Sequence, residues 1–187
     1  MPVNAIPFRM PAPVEIPAHL VSMLRHLPPD QALRRAMELL LQIEAGEILI
    51  FEKVDAKGRL QLAEVVCPDP EEAGRVREAL AGEECYGQAL APAGLAGRAL
   101  EAGNPLLVMG QLGQGEESPL TPRLGQLLAG RGGGNVGFVY VLPIGGGGQT
   151  PLGALTLVRG AGAGPLNHEQ PGLTEGMRQV LADILSG

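Results

Sequence analysis

The sequence predicts an α+β domain built from an antiparallel sheet and amphipathic helices. Apolar side chains recur at three- and four-residue spacing after residue 30, which indicates a helix with one buried face. Residues 47–54 and 59–66 carry β-favouring side chains on either side of an Asp-Ala-Lys-Gly turn, as in a β-hairpin. Residues 135–144 and 152–159 are apolar over most of their length, and we expect them to pair antiparallel at the centre of the sheet.

Glycine and proline separate the shorter elements. Proline at five of the first 17 positions fixes the backbone and favours an extended arm. A glycine-rich connection over residues 110–134 is typical of loops that cover a binding site. We therefore divide the chain into a Pro-rich arm over residues 1–29 and one domain over residues 30–187. The other predicted elements are helices over residues 18–27, 71–80 and 94–103, a strand over residues 105–109, and a closing helix that begins near Asn167.

Composition excludes several classes of function. Hydrophobic residues make up 45% of the 187 residues, enough to bury a core. The formal net charge is −6 and aromatic residues make up 3%, so the sequence lacks the basic surface and the stacking platforms of nucleic-acid-binding proteins. No apolar stretch reaches the roughly 18 to 20 residues that span a bilayer, and the N-terminus lacks a secretory signal. We expect a soluble, cytoplasmic protein without nucleic-acid or membrane partners and without an output domain of its own.

Four segments, in order along the chain, resemble the GAF domain family. Residues 94–105, GLAGRALEAGNP, are similar to a helix-to-strand segment of that family, with its spaced glycines and its final proline. Residues 139–144 are similar to the family's apolar strand that ends near a proline, and residues 152–157 to its Gly-Val-Leu strand. Leu166 and Glu169 are similar to the start of the family's closing helix.

The resemblance covers residues 30–185 and implies a GAF/PAS-like α+β fold. Such a fold has an antiparallel sheet of five or six strands, with helices on one face and a lidded pocket on the other. The resemblance also implies a sensory or regulatory module that binds a small molecule or a signalling protein. Family members often dimerise through their first and last helices, so we expect a homodimer here. A histidine kinase, a cyclic-dinucleotide enzyme or another signalling protein would receive the signal.

The cofactors of the family lack their markers in this sequence. Cyclic-nucleotide binders carry an Asn-Lys pair, which is absent here. Bilin binders attach the chromophore to a cysteine commonly followed by histidine, whereas Cys85 is followed by Tyr86. No histidine lies between His26 and His168 to hold a haem in the pocket. We therefore expect no bilin, haem or cyclic nucleotide. The sequence has no Cys-x-x-Cys pair, and we expect no metal site.

Polar side chains near the implied pocket are the candidate ligand-binding residues. Four of them, two arginines, a tyrosine and a threonine, can orient a small anion, although outward-facing positions explain them equally well. No Ser/His/Asp set, metalloprotease motif or phosphate-binding loop is present, so we predict no catalytic residues. The candidates are Cys85, Tyr86, Arg98, Arg123, Tyr140 and Thr156.

Two alternatives to a sensory module stay open. The first is a dimeric scaffold that binds no ligand. The second is a thiol-based reductase or redox sensor that uses Cys85, with Cys67 as its partner. The resemblance allows it, because some GAF relatives reduce free methionine-R-sulfoxide with cysteines in pocket loops. Of the three, we expect the binding module rather than the enzyme.

Overall fold

The computed structural model describes residues 5–7, 9–43, 46–81, 86–87, 94–109, 136–160 and 170–187. All the predicted helices and strands are present in this part of the chain, close to their predicted bounds. The strands are β1 (Ala5–Pro7), β2 (Ile48–Val54), β3 (Leu60–Val66), β4 (Leu106–Met109), β5 (Val136–Ile144) and β6 (Gly153–Gly160). The helices are α1 (Ala18–His26), α2 (Pro29–Ile43), α3 (Pro70–Ala81), α4 (Gly94–Ala102) and α5 (Gln170–Ser186).

The strands form one sheet in the order β1-β4-β5-β6-β2-β3, and all neighbouring strands are antiparallel. β5 and β6 pair along most of their length, with Val139 opposite Val158 and Ile144 opposite Gly153. The predicted pairing at the sheet centre is confirmed, and so is the α+β class. β2 has a strand on each side, and residues 48–51 are all buried.

Helices cover both faces of the sheet and divide the apolar core in two. On one face, Met37 of α2 and Leu181 of α5 pack in a cluster with Phe51 of β2. On the other face, Leu100 of α4 packs in a second cluster with Ile50 of β2. Successive strand side chains point to opposite faces, so alternation along each strand decides which core a residue enters.

The N-terminal segment is attached to the domain at two places. Strand β1 pairs antiparallel with β4 at the sheet edge, an element that the proline-rich sequence does not predict. Pro7 is compatible with that position because proline lacks a backbone N–H group, and an edge strand has N–H groups that need no hydrogen-bond partner. Further along, the Val14 N–H donates to the Gly172 carbonyl of α5 over 2.8 Å. A side chain at Gly176 would meet the Val14 carbonyl oxygen at 2.1 Å, so glycine permits this close approach.

Helix α5 begins at Gln170, three residues after the predicted start at Asn167, which lies outside the described residues. Pro171 and Gly172 occupy its first turn, where proline costs no intrahelical hydrogen bond. The C-terminal half of the helix continues the predicted apolar stripe, and Met177 and Leu181 are almost fully buried. The stripe on this last helix therefore packs within the domain.

We expect Gly176→Ala to destabilise the domain and to loosen the N-terminal segment. The added methyl group clashes with the Val14 carbonyl, and overpacking of this kind costs about 1 to 3 kcal/mol. Gly74→Ala in α3 is the matched control, because nothing lies within 4 Å of the new methyl group and alanine stabilises a helix by up to about 1 kcal/mol relative to glycine. Urea unfolding followed by circular dichroism measures both changes, and trypsin cleavage after Arg9 reports on the segment. Equal stability and equal cleavage of the two variants would contradict this packing.

Candidate functional site

The site lies on the sheet face that α3 and α4 cover, which we call the site face. Ile48 and Ile50 of β2, Val139 and Val141 of β5, and Val158 of β6 all belong to the apolar cluster on this face. These side chains make the face hydrophobic. Two polar side chains of the central strands interrupt it, namely Glu52 and Thr156.

Glu52 lies on the site face because it follows Ile48 and Ile50 at alternate positions of β2. Its partners across the sheet are Ala154 on β6 and Leu62 on β3, neither of which can pair with a carboxylate. Burial raises the pKa of the Glu52 carboxyl from 4.5 to about 7, because a charge is less stable away from water. A hydrogen bond with Tyr86 acts in the opposite direction and lowers this pKa.

The Tyr86 hydroxyl reaches Glu52 because a backbone contact holds the turn at residues 86–87. The Gly87 N–H donates to the Leu60 carbonyl at the start of β3 over 2.8 Å. Gly87 has a φ of +83°, a conformation that glycine adopts without strain. The Tyr86 ring is half-buried and packs against the apolar cluster of the site face. The turn therefore places a hydrogen-bond donor over the carboxyl group.

Thr156 is the second polar side chain on this face. It lies on β6 opposite Ile50 of β2 and Val141 of β5, and it is 4% exposed. Glu52 is the diagonal neighbour of Thr156 across the β2–β6 pair, at a separation that such pairs usually bridge with a longer side chain. The Thr156 hydroxyl can donate and accept a hydrogen bond. Glu52 with its partner Tyr86, and Thr156 at the diagonal position, are thus polar residues on an otherwise apolar surface.

A glycine-rich loop fixes α4 over the site face. Gly146 has a φ of +84°, and a side chain there would meet the Leu100 carbonyl oxygen at 2.1 Å. The Gly147 N–H donates to the same carbonyl over 3.1 Å. The loop between β5 and β6 therefore binds the end of α4 through backbone contacts. This observation agrees with a structural role for the glycine run.

The other predicted site residues do not join this group. Arg98 lies on α4 but is exposed. Tyr140 is 2% exposed and lies on the opposite face, in the cluster formed with α2 and α5, because it alternates with Val139 and Val141. Tyr140 therefore takes no part in the site described here. Cys85 and Arg123 lie outside the described residues.

Sequence reasoning missed Glu52, although a signal was present. The strand reads ILIFEKV, and the period of two places its glutamate on the same face as two isoleucines. A strand with helices over both faces has no solvent-facing side near its centre.

A concavity lies between α2 and α3, at the end of β3. It encloses about 670 Å³ and is lined by Arg34 and Glu38 of α2, by Arg77 of α3, and by Cys67. Arg34 pairs with Glu38, and Arg77 pairs with Glu64 of β3. Cys67 is 8% exposed, so its thiol is largely enclosed.

Two further features are absent from the described residues. No three of their His, Cys, Asp and Glu side chains are grouped so that they could hold a metal ion. In the same part of the chain, no helix combines the length and the apolar character needed to cross a bilayer.

Known structures resemble this architecture, whereas sequence comparison finds no match. No protein-family model and no curated protein sequence matches the chain. The GAF domain/HD domain protein of Geobacter sulfurreducens is similar with a TM-score of 0.62 at 17% identity, over 86% of this chain and 94% of the other. The GAF domain of a phosphoenolpyruvate-protein phosphotransferase from Coxiella burnetii also has a TM-score of 0.62, at 15% identity over 90% and 89%.

A third similar structure is an enzyme. Free methionine-R-sulfoxide reductase from Neisseria meningitidis, solved in complex with its substrate, has a TM-score of 0.56 at 15% identity, over 89% of this chain and 84% of the other. Other similar structures are described as GAF domains. At these identities the comparisons establish the fold alone. The chain therefore has the GAF domain fold that its sequence predicts.

Proposed function

We propose that this GAF domain is a sensory or regulatory module that binds a small molecule on its site face. The supporting observation is Glu52, a carboxyl group kept on an apolar surface beside Tyr86 and Thr156. Its pKa near 7 means that an appreciable fraction of the group is charged at neutral pH. We propose further that the module lies in the cytoplasm and does not catalyse a reaction.

Burying the Glu52 carboxyl group costs folding free energy, which favours a role in ligand binding over a role in filling the core. An aliphatic side chain at this position would extend the apolar surface of Ile50 and Leu62 without a desolvation penalty. Residues that lower stability in this way are common where binding or catalysis requires them. Glu52 fits that description, because burial disfavours its charged form and only Tyr86 partly offsets the effect.

We propose that the protein forms a homodimer through its first and last helices. This dimer would report ligand binding on the site face to a signalling partner such as a histidine kinase. A concavity of about 610 Å³ lies between the N-terminal segment, α1 and α5. Val14 and Met23, the exposed large hydrophobic residues of the described chain, lie on that segment and on α1. Arg25 of α1 and Asp183 of α5 form an exposed ion pair of 3.6 Å in the same place. These features support a contact surface formed by α1 and α5. In α2, the first helix of the predicted domain over residues 30–187, the apolar stripe packs within the core, where Met37 and Leu40 are buried.

Neither the scaffold without a ligand nor the thiol-based reductase has comparable support. A scaffold without ligand would fit the apolar filling of the site face but gives no reason for Glu52. The reductase proposal needs Cys85, which lies outside the described residues, and its proposed partner Cys67 is largely enclosed. At 15% identity, the similarity to a sulfoxide reductase establishes the fold alone.

A thermal-shift screen against a metabolite library is expected to find a compound that stabilises the protein. A ligand at about 100 times its Kd adds about 2.7 kcal/mol, which raises the Tm of a chain of this size by roughly 5 to 10 °C. Tyr86→Phe and Thr156→Val should reduce that shift, because each removes a hydroxyl from the site face. Tyr140→Phe is the matched control, since it removes a hydroxyl from the opposite face. A library without any stabilising compound would favour the scaffold.

Glu52→Gln is expected to make the protein more stable than wild type above neutral pH. In the unfolded chain Glu52 ionises near pH 4.5, whereas in the folded chain it ionises near pH 7. Wild type therefore loses stability as pH rises between these two values, by at most about 3 kcal/mol, while the amide variant does not. Urea unfolding at about pH 5 and about pH 8 measures the difference, with Glu101→Gln on the exposed face of α4 as control. Parallel pH dependence of wild type and Glu52→Gln would contradict a buried acid.

A further inference from the structure

The concavity between α2 and α3 lies apart from the site face. It is located at the edge of the sheet, because α2 and α3 pack on opposite faces and β3 has a neighbouring strand on one side only. Its lining residues come from α2, from the end of β3 and from α3, and Glu52, Tyr86 and Thr156 are not among them. Its volume of about 670 Å³ lies within the range of about 300 to 1,000 Å³ that is usual for small-molecule sites.

Small residues keep the rim of this cleft open. Gly74 lies on the α3 wall, and nothing lies within 4 Å of a first side-chain carbon placed there. Pro68 and Pro70 also line the cleft, and both are exposed. The floor includes Val65 and Val66, which are buried and close the cleft toward the core. A ligand would therefore contact the rim rather than the core.

Arginine side chains from both walls give the cleft a positive charge. Arg34 of α2 and Arg77 of α3 line it, together with Glu38 of α2. Two arginines and one glutamate give the described lining a formal charge of +1, although the whole chain carries −6. The Arg34 side chain is 60% exposed and that of Arg77 is 49% exposed, so a ligand can reach both guanidinium groups. A guanidinium group stays charged at every pH near neutrality, and the cleft therefore favours anions.

The hydrogen-bond donors of Arg34 are available to a ligand. Its Nε lies 3.6 Å from one Glu38 oxygen, which is beyond hydrogen-bond distance. Arg35 donates to the other oxygen of Glu38 over 3.1 Å, and Arg35 does not line the cleft. Two guanidinium groups thus share one carboxylate. Glu38 keeps its hydrogen bond to Arg35 when Arg34 binds another group.

Arg77 uses only part of its guanidinium group within the described chain. Its Nη2 donates to Oε1 of Glu64 on β3. The same Glu64 oxygen accepts a hydrogen bond from the Val65 backbone N–H over 3.0 Å. A guanidinium group has five N–H donors in a planar fork, and such a fork matches the paired oxygens of a carboxylate or a phosphate. Arg77 can therefore bind an oxyanion while it keeps its contact with Glu64.

We propose that the cleft between α2 and α3 binds a small molecule through an anionic oxygen group, a carboxylate or a phosphate, held by Arg34 and Arg77. The body of the ligand contacts the rim at Pro68 and Pro70. A neutral molecule lacks the charge-assisted hydrogen bonds, which are roughly twice as strong as neutral ones. This second site does not depend on the proposed function, because it shares no residue with the polar group of the site face.

Phenyl phosphate, benzoate and benzyl alcohol are suitable probes because they share an aromatic ring and differ in charge. Titration of the ¹⁵N-labelled full chain, followed by nuclear magnetic resonance, measures affinity and location together. The two anions are expected to shift the Nε–H resonances of Arg34 and Arg77 and to bind at least about tenfold more tightly than the alcohol. Comparison of the two anions shows whether phosphate or carboxylate is preferred. Their affinity should fall as sodium chloride is added, because salt screens exposed charges.

Arg34→Gln and Arg77→Gln should each weaken anion binding about tenfold, since each removes a charged donor. Arg77→Gln also takes the arginine partner from Glu64. Arg34→Gln avoids that complication, because Glu38 keeps Arg35. Arg75→Gln is the matched control, which removes an exposed arginine of α3 that does not line the cleft. This control should bind both anions as wild type does.

Four outcomes would overturn the inference. They are absence of anion binding, equal affinity for anion and alcohol, an anion affinity that Arg34→Gln leaves unchanged, and an equal loss of affinity in Arg75→Gln. None of these results bears on ligand binding at the site face, which the metabolite screen and the Tyr86→Phe variant test separately.

Discussion

The rest of the structure depends on one constraint, which is that helices cover the central sheet on both faces. Side chains near the middle of β2, β5 and β6 enter one of two apolar cores. A hydrophobic strand residue satisfies this constraint without cost. A carboxyl group does not, and Glu52 is for this reason the most informative residue of the sheet. The proposed ligand site follows from that conflict.

The fold follows from the sequence because its elements are locally consistent. Gly58 has a φ of +71° in the turn between β2 and β3. In the same turn Asp55 accepts hydrogen bonds from the Lys57 and Arg59 backbone N–H groups, which lower the pKa of its carboxyl to about 2. The amphipathic pattern of α2 and the apolar runs of β5 and β6 likewise agree with their tertiary positions. Strand β1 was not predicted because three residues are too few to show the alternation that is typical of a strand. It is recognised only by its pairing with β4.

The site was less predictable because it depends on which face of the sheet each residue occupies. Tyr86 and Thr156 were found by residue type, and both lie on the site face. Tyr140 has the same chemistry, but its place in the alternation of β5 puts it in the opposite core. The alternation of β2 places Glu52 on the same face as two isoleucines, but the helices that cover this face are known only from the structure. The number of helices over each face is a tertiary property that the pattern within one strand does not contain.

The central claim is that Glu52 is an acid whose ionisation is displaced to neutrality by burial on the site face. The most direct measurement is the side-chain carboxyl chemical shift of protein labelled with ¹³C-glutamate, followed from about pH 4 to about pH 9 and assigned by comparison with Glu52→Gln. The account predicts one carboxyl resonance, missing in the variant, that titrates with a midpoint of about 7. A midpoint near 4.5 would show that the group is solvated like an exposed glutamate and would contradict the proposed site.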